Sequence, residues 1–590
     1  MPANDAPDWT GRDRAWAAVA VFAALVANSP ALRLSFTSDD FFILDRIRTL
    51  GGLTHPLAYF RLGFFEYYRP LAFLSNALDW TLWGLDGRGF HLTNVVLHAL
   101  ATLLVFALAR RLVDGTAALV ASLLFALHPA SHEAVYWIAA RFDLLATSLM
   151  LASLLCLSQD ETVFYWTGVG CFALALLSKE SAISLPIIAV AADVLLKRRD
   201  WIATTRRLVP LMMVVGIYAL LRAHGVDVPL AGGVRRLPKL AMMLGALGAM
   251  LLLAFARRGH AIVPVRASRR PLIALSVGIA GAGVLWALMV WSPWGAWISE
   301  KLGFVAFAGY SLISPIVLPP PPPYFLDVST PVYAIAGLIV VAVGLAALLA
   351  SLGWITRDPR ALFLLVFILA ALIPVSSLTG GGRYFYLASV GSSMLAGLAC
   401  RQSPFKRPAL VAVVIVLALS VQQMVVAAGA WNWASSMTSD GLKLMTSDLE
   451  PCGTRDVVLL SAPVGTRGTY PNFLWEAFGL TSPCAPRSFR TLVRVVRTDA
   501  RVEVTRPGPG VVELRVPNYS GNILASQDLS TYEIWLRPGG RATVMTPLGR
   551  LDARPDGDAL IMSLALDPEL SEARLYYFSD GRVNAVPMGR

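Results

Sequence analysis

Long apolar runs separated by short basic clusters make up most of this chain. Of its 590 residues, 56% are hydrophobic and 15% are charged, whereas a soluble protein carries roughly 25% charged residues. A helix that crosses the hydrocarbon core of a bilayer needs about 20 predominantly apolar residues. The runs predict about thirteen membrane spans, at residues 15–32, 91–110, 115–128, 134–157, 162–178, 182–196, 208–222, 240–256, 271–291, 331–352, 361–378, 385–400 and 408–428.

The placement of Lys and Arg between these runs predicts the orientation of the chain. Clusters such as Arg110-Arg111, Lys197-Arg198-Arg199 and Lys406-Arg407 alternate with loops that carry fewer basic residues. Basic loops stay in the cytoplasm, so the N-terminus is expected there, and an odd number of spans places the C-terminal part outside. This topology accounts for the net charge of +12. No basic stripe with interleaved aromatic residues is present, so no nucleic-acid partner is expected.

Two of the predicted outer loops are long, at residues 33–90 and 292–330. The first contains an aromatic, amphipathic stretch at 67–83, which is too polar to span a bilayer and is typical of a helix lying in the membrane interface. The second contains an apolar segment at 304–318, followed by five prolines at Pro319–Pro323 that favour a stiff, extended connector. We interpret both segments as interfacial elements on the outer side.

The C-terminal part of the chain has a different pattern. A linker helix is expected at 431–451, and residues 452–590 show short runs that alternate apolar and polar residues, such as Val511–Val516. Alternation with a period of two, interrupted by Gly and Pro, predicts the strands of a small antiparallel, sandwich-like all-β domain outside the membrane. Cys452 and Cys484 are the cysteines outside apolar runs, and a disulfide between them is predicted.

The first candidate for chemistry is the acidic pair Asp39-Asp40, which follows the first predicted span. A carboxylate near a membrane surface can act as a general base toward a hydroxyl group. Two adjacent carboxylates can also bind a hydrated divalent cation. The alternative is structural, because the pair precedes the apolar Phe41-Phe42 and fits the N-terminus of a helix.

Ionisable residues also interrupt the predicted span at 134–157. Charged groups at membrane depth cost at least about 2.5 kcal/mol each, so they pair with one another or line a polar cavity. Glu133 and Arg141 are eight residues apart and are therefore expected near one face of a helix, with Asp143 just beyond. A structural ion pair is the alternative to a functional role for these residues.

Further charged residues are predicted at the same outer face of the membrane. Lys179-Glu180 lies between two short spans, and Arg383 follows the glycines at 380–382. Glycine lets a backbone approach a ligand closely, and an Arg side chain can hold a phosphate with two hydrogen bonds. Each residue alone is typical of a helix-end anchor, but the topology brings them to one face together with Asp39-Asp40 and Glu133.

An ordered series of motifs resembles the transmembrane half of the eukaryotic O-mannosyltransferases that carry tetratricopeptide repeats. The resemblance covers roughly residues 30–440 and is strongest at 68–196. Its motifs are Tyr68-Arg69-Pro70-Leu71, Phe90-His91-Leu92-Thr93-Asn94-Val95-Val96-Leu97-His98-Ala99-Leu100, Leu124-Phe125-Ala126-Leu127-His128-Pro129, His132-Glu133-Ala134-Val135, Arg141-Phe142-Asp143, Leu177-Ser178-Lys179-Glu180 and Arg383-Tyr384-Phe385-Tyr386-Leu387.

The resemblance implies a glycosyltransferase of the GT-C superfamily, with residues 1–430 as its transmembrane catalytic domain. It implies a polyprenyl-phosphate-linked hexose donor, mannose being the first expectation, and inverting transfer to a hydroxyl group at the outer face of a bacterial inner membrane. Asp39 or Asp40 matches the position of the catalytic base. The donor-binding set is expected to be Arg69, His132, Glu133, Arg141, Asp143, Lys179, Glu180, Arg383 and Tyr384.

The same resemblance leaves the acceptor and the cofactor less constrained. The eukaryotic proteins continue into helical repeats, the natural module for protein recognition, whereas this chain has a β domain. The acceptor is therefore left open between a protein, a glycan and a lipid. A lipid-linked phosphate is already a leaving group, so no metal or other cofactor is expected, with a divalent cation as the alternative. The rival interpretations are a transporter or flippase of a lipid-linked glycan, which would place its charges near the bilayer midplane, and a non-catalytic membrane scaffold.

Overall fold

The computed structural model describes residues 9–61, 67–225, 354, 357–375, 382–403, 406–447, 449, 455–463, 475–482, 486–495, 501–517, 524–525, 533–534, 541–546, 548–557 and 559–587. The chain forms two compact units. We call the first the helical unit; it comprises Met1–Leu32, Gly52–Leu82 and Gly89–Ala428. The second, the C-terminal unit, comprises Arg33–Gly51, Trp83–Arg88 and Gly429–Arg590.

Fifteen α-helices are present in the described residues. They are α1 Gly11–Asn28, α2 Asp39–Thr49, α3 Ala58–Arg61, α4 Pro70–Trp83, α5 Gly87–Leu112, α6 Gly115–Ala126, α7 Ser131–Tyr136, α8 Arg141–Leu157, α9 Thr162–Ser178, α10 Leu185–Ala191, α11 Trp201–Gly225, α12 Pro359–Leu372, α13 Tyr386–Gln402, α14 Lys406–Ser447 and α15 Trp475–Thr481. Short polar residues cap several of them. Thr10 and Asp13 form a capping box at α1, and the side chain of Asp114 accepts a hydrogen bond from the backbone N–H of Ala117 at α6.

Five segments of the described chain are long and apolar enough to cross a membrane: Gly11–Arg33, Gly87–Leu112, Ile138–Leu157, Trp201–Arg222 and Arg407–Ser447. Helices α6 and α9 and the segment Pro359–Val375 are apolar but shorter. A helical membrane protein, as predicted, is therefore confirmed. The predicted spans at 240–256, 271–291 and 331–352, and the outer loop at 292–330 with its interfacial segment, lie outside the described residues.

Two of the predicted spans are not single helices. The span predicted at 134–157 is divided, because Trp137 has an extended backbone and a short 3₁₀ turn at Ile138–Ala140 precedes α8. The amide of Asn94 on α5 donates to the carbonyl oxygens of Val135 and Trp137, at 3.2 and 3.3 Å, which satisfies groups that the break frees.

The span predicted at 182–196 is divided as well. It consists of a 3₁₀ turn at Glu180–Ser184, the short helix α10, and a π-helical turn at Ala192–Leu196. Pro186 lies in the first turn of α10, where its missing N–H has no helical partner to lose. The helix therefore starts beside Pro186 and not earlier in the chain.

Small residues let the helices of the helical unit approach each other closely. A Cβ atom at Gly397 of α13 would lie 2.5 Å from the carbonyl oxygen of Ala117 on α6. A Cβ atom at Gly168 of α9 would lie 2.9 Å from the side chain of Leu157 on α8. Because lipid is as apolar as these side chains, such close packing is a main source of helix association in a membrane.

The C-terminal unit contains eleven described strands in three sheets. They are β1 Asp456–Pro463, β2 Ser488–Val495, β3 Glu503–Gly508, β4 Val511–Val516, β5 Leu524–Ala525, β6 Glu533–Ile534, β7 Ala542–Thr546, β8 Gly549–Asp556, β9 Ala559–Leu566, β10 Arg574–Ser579 and β11 Arg582–Ala585. Five form an antiparallel sheet in the order β3-β4-β9-β8-β7, four form a sheet in the order β11-β10-β1-β2, and β5 pairs with β6. C-terminal β-sheets are therefore confirmed.

In strand β4, the apolar positions of the alternating pattern face the core of this unit. Val512, Leu514 and Val516 of β4 are buried, whereas the residues between them are only partly buried. The prediction of a purely antiparallel, all-β arrangement is wrong, because β1 pairs in parallel with both β2 and β10, and α15 lies between β1 and β2 in the chain. A parallel pair needs a long crossover connection, which cannot be recognised from alternation alone. Cys452 and Cys484, the predicted disulfide pair, lie outside the described residues.

The expected linker helix at 431–451 is not a separate element. Helix α14 continues without a break from Lys406 to Ser447, so it includes both the last predicted span and most of the expected linker. Within the C-terminal unit, Trp431 is buried, and the ring of Trp433 packs edge-on against Phe578 of β10 at 6.2 Å. The contact between Trp433 and Phe578 joins the end of α14 to the sheet that contains β10.

Candidate functional site

The centre of the candidate site is a buried ion pair between Lys179 and Asp143 in the helical unit. Asp143 lies in the first turn of α8, and Lys179 follows the last residue of α9 with an extended backbone that ends the helix. The ammonium group of Lys179 donates a hydrogen bond to Oδ1 of Asp143, and both side chains are buried. Burial lowers the pKa of Lys179, Asp143 opposes this effect, and the nearby cations Arg69 and Arg383 lower the pKa further.

A second pair joins the segment before α4 to the segment after α9. Arg69 donates two hydrogen bonds to the carboxylate of Glu180, at 2.9 and 2.7 Å. The guanidinium also lies over the rings of Tyr67 and Phe142, at 4.2 and 4.7 Å from their centroids. Burial raises the pKa of Glu180, but the ion pair with Arg69 outweighs that effect and the pKa falls to about 2. The pair is therefore charged at any physiological pH.

A third pair brings in the 3₁₀ turn at Gly382–Phe385, which precedes α13. Arg383 binds the buried carboxylate of Glu133 through its guanidinium and through its backbone N–H. Its Nη2 also donates to the hydroxyl of Tyr384 at 2.9 Å, and the guanidinium lies 4.6 Å from the ring of Trp137. Because the Lys179 ammonium lies 5.1 Å from the Tyr384 ring, this pair adjoins the central one.

These contacts connect all three pairs into one cluster. Its members are Arg69, Glu133, Asp143, Lys179, Glu180, Arg383 and Tyr384, which we call the charge cluster. Its cations come from three separate parts of the chain, and aromatic rings lie between them. The sequence predicted these seven residues at one site, and the structure brings them together within the helical unit.

Arg141 has a different environment from the charge cluster. It is fully buried and binds Asp79 of α4 at 2.6 Å. Its guanidinium also donates to the side chain of Asn94 and to the carbonyl oxygen of Phe90, both at 2.8 Å. These protein partners connect α4 and α5 to the start of α8, an arrangement suited to holding the helices together.

The prediction that Glu133 and Arg141 share a helix face is wrong. The helix is broken between Tyr136 and Arg141, so a spacing of eight residues does not define a common face there. The two residues have different main partners, Arg383 for Glu133 and Asp79 for Arg141. The prediction requires one continuous helix. The break changes the direction in which residues before it point relative to residues after it.

Three of the buried polar atoms without a hydrogen-bond partner among the described residues belong to the charge cluster or to residues next to its members in sequence. They are Oδ2 of Asp143, Nε2 of His132 and the hydroxyl of Tyr68. The other nitrogen of His132 bonds to the carbonyl oxygen of Pro129, and Oδ1 of Asp143 is occupied by Lys179. A buried polar atom without a partner costs about 1–3 kcal/mol, so such an atom is a candidate to bind a ligand hydroxyl or water.

The acidic pair Asp39-Asp40 belongs to the C-terminal unit, where the two carboxylates differ. Asp40 is buried, and its Oδ2 accepts the backbone N–H of Thr37 at 2.9 Å. Asp39 is exposed at the start of α2 and accepts a hydrogen bond from the hydroxyl of Ser38 at 3.2 Å. Ser38 itself has a positive φ of 49°, a conformation that L-residues adopt rarely. Asp40 therefore closes the turn, and Asp39 is the more exposed residue of the two.

Two partners of Arg141 are not predicted from the sequence. Asp79 lies in the stretch predicted as an interfacial helix, and Asn94 lies in a motif of the resemblance but has no predicted role of its own. A signal for Asn94 was present, because His91, Asn94, His98 and Thr102 recur every three or four residues on an otherwise apolar helix and all are buried. No metal-binding group of three or more His, Cys, Asp or Glu side chains occurs in the described ranges.

Comparison with known protein families supports the sequence resemblance. Residues 70–223 match the family described as dolichyl-phosphate-mannose-protein mannosyltransferase. This segment contains α4 to α10 and most of α11 and, with them, Glu133, Asp143, Lys179 and Glu180 of the charge cluster. The resemblance to the transmembrane half of the O-mannosyltransferases is confirmed for this segment.

Individual relatives match over short stretches. Protein O-mannosyl-transferase Tmtc1 of Drosophila melanogaster is 37% identical over 133 residues, which are 22% of this chain and 16% of the relative. Human protein O-mannosyl-transferase TMTC3 is 31% identical over 134 residues, 22% of this chain and 15% of the relative. Human TMTC2 is 34% identical over 147 residues, 23% of this chain and 18% of the relative. The chain thus matches less than a fifth of the length of these relatives.

Two proteins of known structure are similar over a larger part of the chain. The oligosaccharyltransferase of Archaeoglobus fulgidus has a TM-score of 0.43 and 14% identity, and the match covers 81% of this chain and 64% of that one. ArnT of Cupriavidus metallidurans has a TM-score of 0.35 and 18% identity, over 80% of this chain and 86% of that one. The same ArnT bound to undecaprenyl phosphate has a TM-score of 0.34 and 16% identity, over 81% and 86%.

Proposed function

We propose that this chain, whose residues 70–223 match a mannosyltransferase family, is a membrane glycosyltransferase. Its donor is a polyprenyl-phosphate-linked hexose, mannose first, and its acceptor is a hydroxyl group of a protein or a glycan. The observation that carries the proposal is the charge cluster, in which Lys179, Arg69 and Arg383 converge at the ends of apolar helices. The family match supports the reaction class, and the cluster supports the way in which the donor is held.

A phosphate that leaves with an extra negative charge needs cations that are already in position. Lys179, Arg69 and Arg383 are held by carboxylates and aromatic rings, so little reorganisation is needed when that charge develops. Fixed charges in a poorly hydrated site stabilise a developing charge more strongly than charges in water do. Arg383 is the best placed to rotate toward a phosphate, because its side chain is partly exposed whereas that of Lys179 is buried.

The sugar requires hydroxyl and ring contacts as well as phosphate contacts. Oδ2 of Asp143 is a buried acceptor without a partner among the described residues, so it can accept a hydrogen bond from a sugar hydroxyl. The ring of Tyr384, which already contacts Lys179, offers a face on which a pyranose ring can stack. Nε2 of His132, which directly precedes Glu133 in sequence, is another buried polar atom without a partner among the described residues. We assign Arg141 to positioning, because its guanidinium is already engaged by buried protein groups.

The transfer step is a single displacement that inverts the anomeric carbon. The acceptor oxygen forms a bond to C1 of the sugar, the bond between C1 and the phosphate oxygen breaks, and the acceptor proton moves to the base. We assign the base to Asp39 and not to Asp40, because the Asp39 carboxylate is exposed whereas Asp40 accepts the backbone N–H of Thr37. The polyprenyl phosphate leaves with the bonding electrons. The alternative role of the acidic pair Asp39-Asp40 is to bind a divalent cation.

The proposal includes the full predicted topology. About thirteen spans and an outward-facing site follow from the pattern of apolar runs and basic clusters, and the GT-C fold is what the resemblance to the O-mannosyltransferases implies. The site and the C-terminal unit would then lie on the extracytoplasmic side of a bacterial inner membrane. A donor carried by a lipid tail suits such a site, because the tail can remain in the bilayer while the sugar phosphate enters the charge cluster.

The test uses the full chain in proteoliposomes with polyprenyl-phosphate mannose labelled in the sugar, and cell-envelope extract as the acceptor source. We expect Asp39→Asn to reduce transfer by about 10²- to 10⁴-fold while donor binding stays within twofold of wild type, because the amide keeps the shape but cannot take a proton. The matched control is Asp45→Asn, on the same helix and paired with Arg48 at the surface. We expect Asp45→Asn to transfer at the wild-type rate.

Two outcomes would contradict the proposal. Undiminished transfer by the Asp39→Asn, Asp40→Asn double variant would exclude the acidic pair as the source of the base. Movement of the intact labelled donor across the bilayer, without transfer of its sugar, would favour a flippase. Parallel reactions with glucose-linked and mannose-linked donors identify the sugar, and reactions with and without a chelator decide between a metal-free and a cation-dependent step.

A further inference from the structure

A large cavity lies at the end of the helical unit opposite the charge cluster. The charge cluster adjoins the start of α8 and the end of α9, whereas the cavity adjoins the end of α8 and the start of α9. Its volume is about 1520 Å³, which is enough for a ligand larger than a sugar phosphate. All described residues that line it belong to the helical unit. The function proposed above makes no use of this cavity.

The described lining is strongly basic. Eight of its side chains are Lys or Arg and three are Asp. Each of the three Asp side chains already has basic partners: Asp193 binds Arg199 and Arg207, Asp358 binds Arg360, and Asp114 binds Arg401. Asp114 and Asp358 also cap the first turns of α6 and α12. The carboxylates of the lining are therefore occupied, and an excess of cations remains.

Three of the lining cations, Arg111, Arg198 and Arg357, have no ion-pair partner among the described residues. Arg198 follows the π-helical turn after α10, and Arg357 precedes α12, so the two approach the cavity from separate segments. Arg111 also lines the cavity but is held by the carbonyl oxygen of Leu155 and the hydroxyl of Ser158, both uncharged groups. Uncompensated cations repel one another, so their collection around one cavity favours a bound anion.

The lining also has an apolar part. It includes Leu154, Leu157, Leu211, Phe363 and Leu398, which belong to the four helices α8, α11, α12 and α13. A cavity with a cationic part and an apolar part matches a ligand that has an anionic head and a hydrocarbon tail. Basic pockets between membrane helices bind acidic lipid head groups for this reason.

We propose that this cavity binds a phosphate-bearing anion, with the head group of an acidic phospholipid as its occupant. Arg198 and Arg357 bind the phosphate, and the leucines and Phe363 contact the start of the acyl chains. Arg is suited to this task because its planar fork can donate two parallel hydrogen bonds to phosphate. The site is separate from the one that holds the sugar donor, and its occupancy does not depend on glycosyl transfer.

The test titrates the detergent-purified full chain with dioctanoyl phosphatidylglycerol, and separately with dioctanoyl phosphatidylcholine, with native mass spectrometry as the readout. We expect the anionic lipid to bind at least about tenfold more tightly than the zwitterionic one. We expect the Arg198→Gln, Arg357→Gln double variant to lose at least about tenfold in affinity for phosphatidylglycerol. The loss of even one of the two charge-assisted contacts would produce a change of this size. The matched control is Arg206→Gln, which changes an exposed Arg that does not line the cavity.

Competition with inorganic phosphate distinguishes the sources of the phosphate. Displacement of the lipid by millimolar inorganic phosphate supports a site for phosphate itself, and no displacement supports a site that requires the lipid. Equal binding of the two lipids, an unchanged affinity in the double variant, or an equal loss in Arg206→Gln would overturn the proposal. The thermal stability of each variant is measured in the same detergent, so loss of folding is recognised separately from loss of binding.

Discussion

Oppositely charged side chains are paired in both units of the chain, but in different surroundings. In the helical unit, the side chains of Arg141 and Asp79 are 0% and 4% exposed. In the C-terminal unit, those of Arg501 and Asp580 are 83% and 53% exposed. Between these extremes, Asp456 is buried while its partner Arg487 is largely exposed. The same two kinds of side chain therefore form a series that runs from fully enclosed to fully hydrated.

Burial decides how much an ion pair, and the loss of one of its partners, affects the stability of the fold. An exposed pair gains little from its contact, because water solvates both charges almost as well as they solvate each other. A buried pair costs several kcal/mol of desolvation for each ion, and the loss of one partner leaves the other charge uncompensated. Buried charges in an apolar helical unit are therefore the ones for which a role in positioning or binding is expected.

The largest effect is expected for Arg141. We expect Arg141→Leu to lower the free energy of unfolding by about 3–5 kcal/mol, because the carboxylate of Asp79 would be left without its partner in an apolar site. Reversible unfolding of the full chain in mixed micelles measures this change. The Arg141→Leu, Asp79→Leu double variant should recover a large part of the loss, since no unpaired charge remains. A double variant less stable than either single variant would contradict this account of the pair.

The next effect concerns activity, at Lys179. We expect Lys179→Met to slow transfer by about 10²- to 10³-fold, the loss that follows removal of one group that stabilises a developing charge. Donor binding should weaken as well. Lys443→Met, which changes an exposed Lys of α14, is the control and should have no effect. Transfer by Lys179→Met at the wild-type rate would remove this residue from the proposed site.

The pH dependence of transfer gives a second measurement on the same residue. Because burial lowers the pKa of Lys179 below its ordinary value of 10.5, its charge is lost at a lower pH than that of an exposed Lys. Transfer should therefore decline on the alkaline side before an ordinary Lys titrates. Lys179→Arg keeps the charge at every accessible pH, so the decline should move to higher pH. An identical alkaline limb in both proteins would contradict the role of this ammonium group.

A smaller effect is expected for Asp456 of the C-terminal unit. Hydrogen bonds from Arg487 lower the pKa of Asp456 below its ordinary value of 3.8, so the folded protein favours the ionised carboxylate. The resulting stability is present above the unfolded pKa and is lost as the pH falls below about 4. Asp456→Asn should lower the melting temperature of this unit by a few degrees at neutral pH and reduce its acid sensitivity. Equal acid sensitivity with and without Asp456 would contradict this prediction.

The smallest effect is expected for the exposed pair. We expect Arg501→Ala to change the free energy of unfolding by less than about 1 kcal/mol, because both partners remain hydrated when they separate. Thermal melts at low and high salt check this expectation, and the difference between them should be small. A decrease in the free energy of unfolding as large as that expected for Arg141→Leu would show that exposure does not determine how much these ion pairs contribute to stability.

Much of the architecture was predictable from local pattern. Apolar runs such as 91–110 and 162–178 became helices α5 and α9, because a lipid-facing backbone must satisfy its hydrogen bonds within its own segment. Alternation at Val511–Val516 became strand β4, because successive side chains of a strand point to opposite faces. In both cases the information lies within a few adjacent residues.

The candidate site was predictable as a set of residues but not as a set of pairs. Lys179, Arg383 and Glu133 were singled out because charged residues in apolar surroundings need a reason to be there. Their partners are far away in sequence, as Glu133 and Arg383 show. The role expected for Arg141 also depended on partners, Asp79 and Asn94, that come from two other helices.

The amino-acid sequence was sufficient to establish the class of molecule. It indicates a helical membrane protein with C-terminal β structure and charged residues that resemble those of a glycosyltransferase family. Periodicity and hydropathy are local properties, so they survive without knowledge of the fold. The break at Trp137, the parallel pairing of β1 and the choice of Asp79 over Glu133 as the partner of Arg141 were decided by tertiary structure. Each depends on which distant segment supplies a hydrogen-bond partner, and a buried polar group takes its stability from that partner and not from its neighbours in the chain.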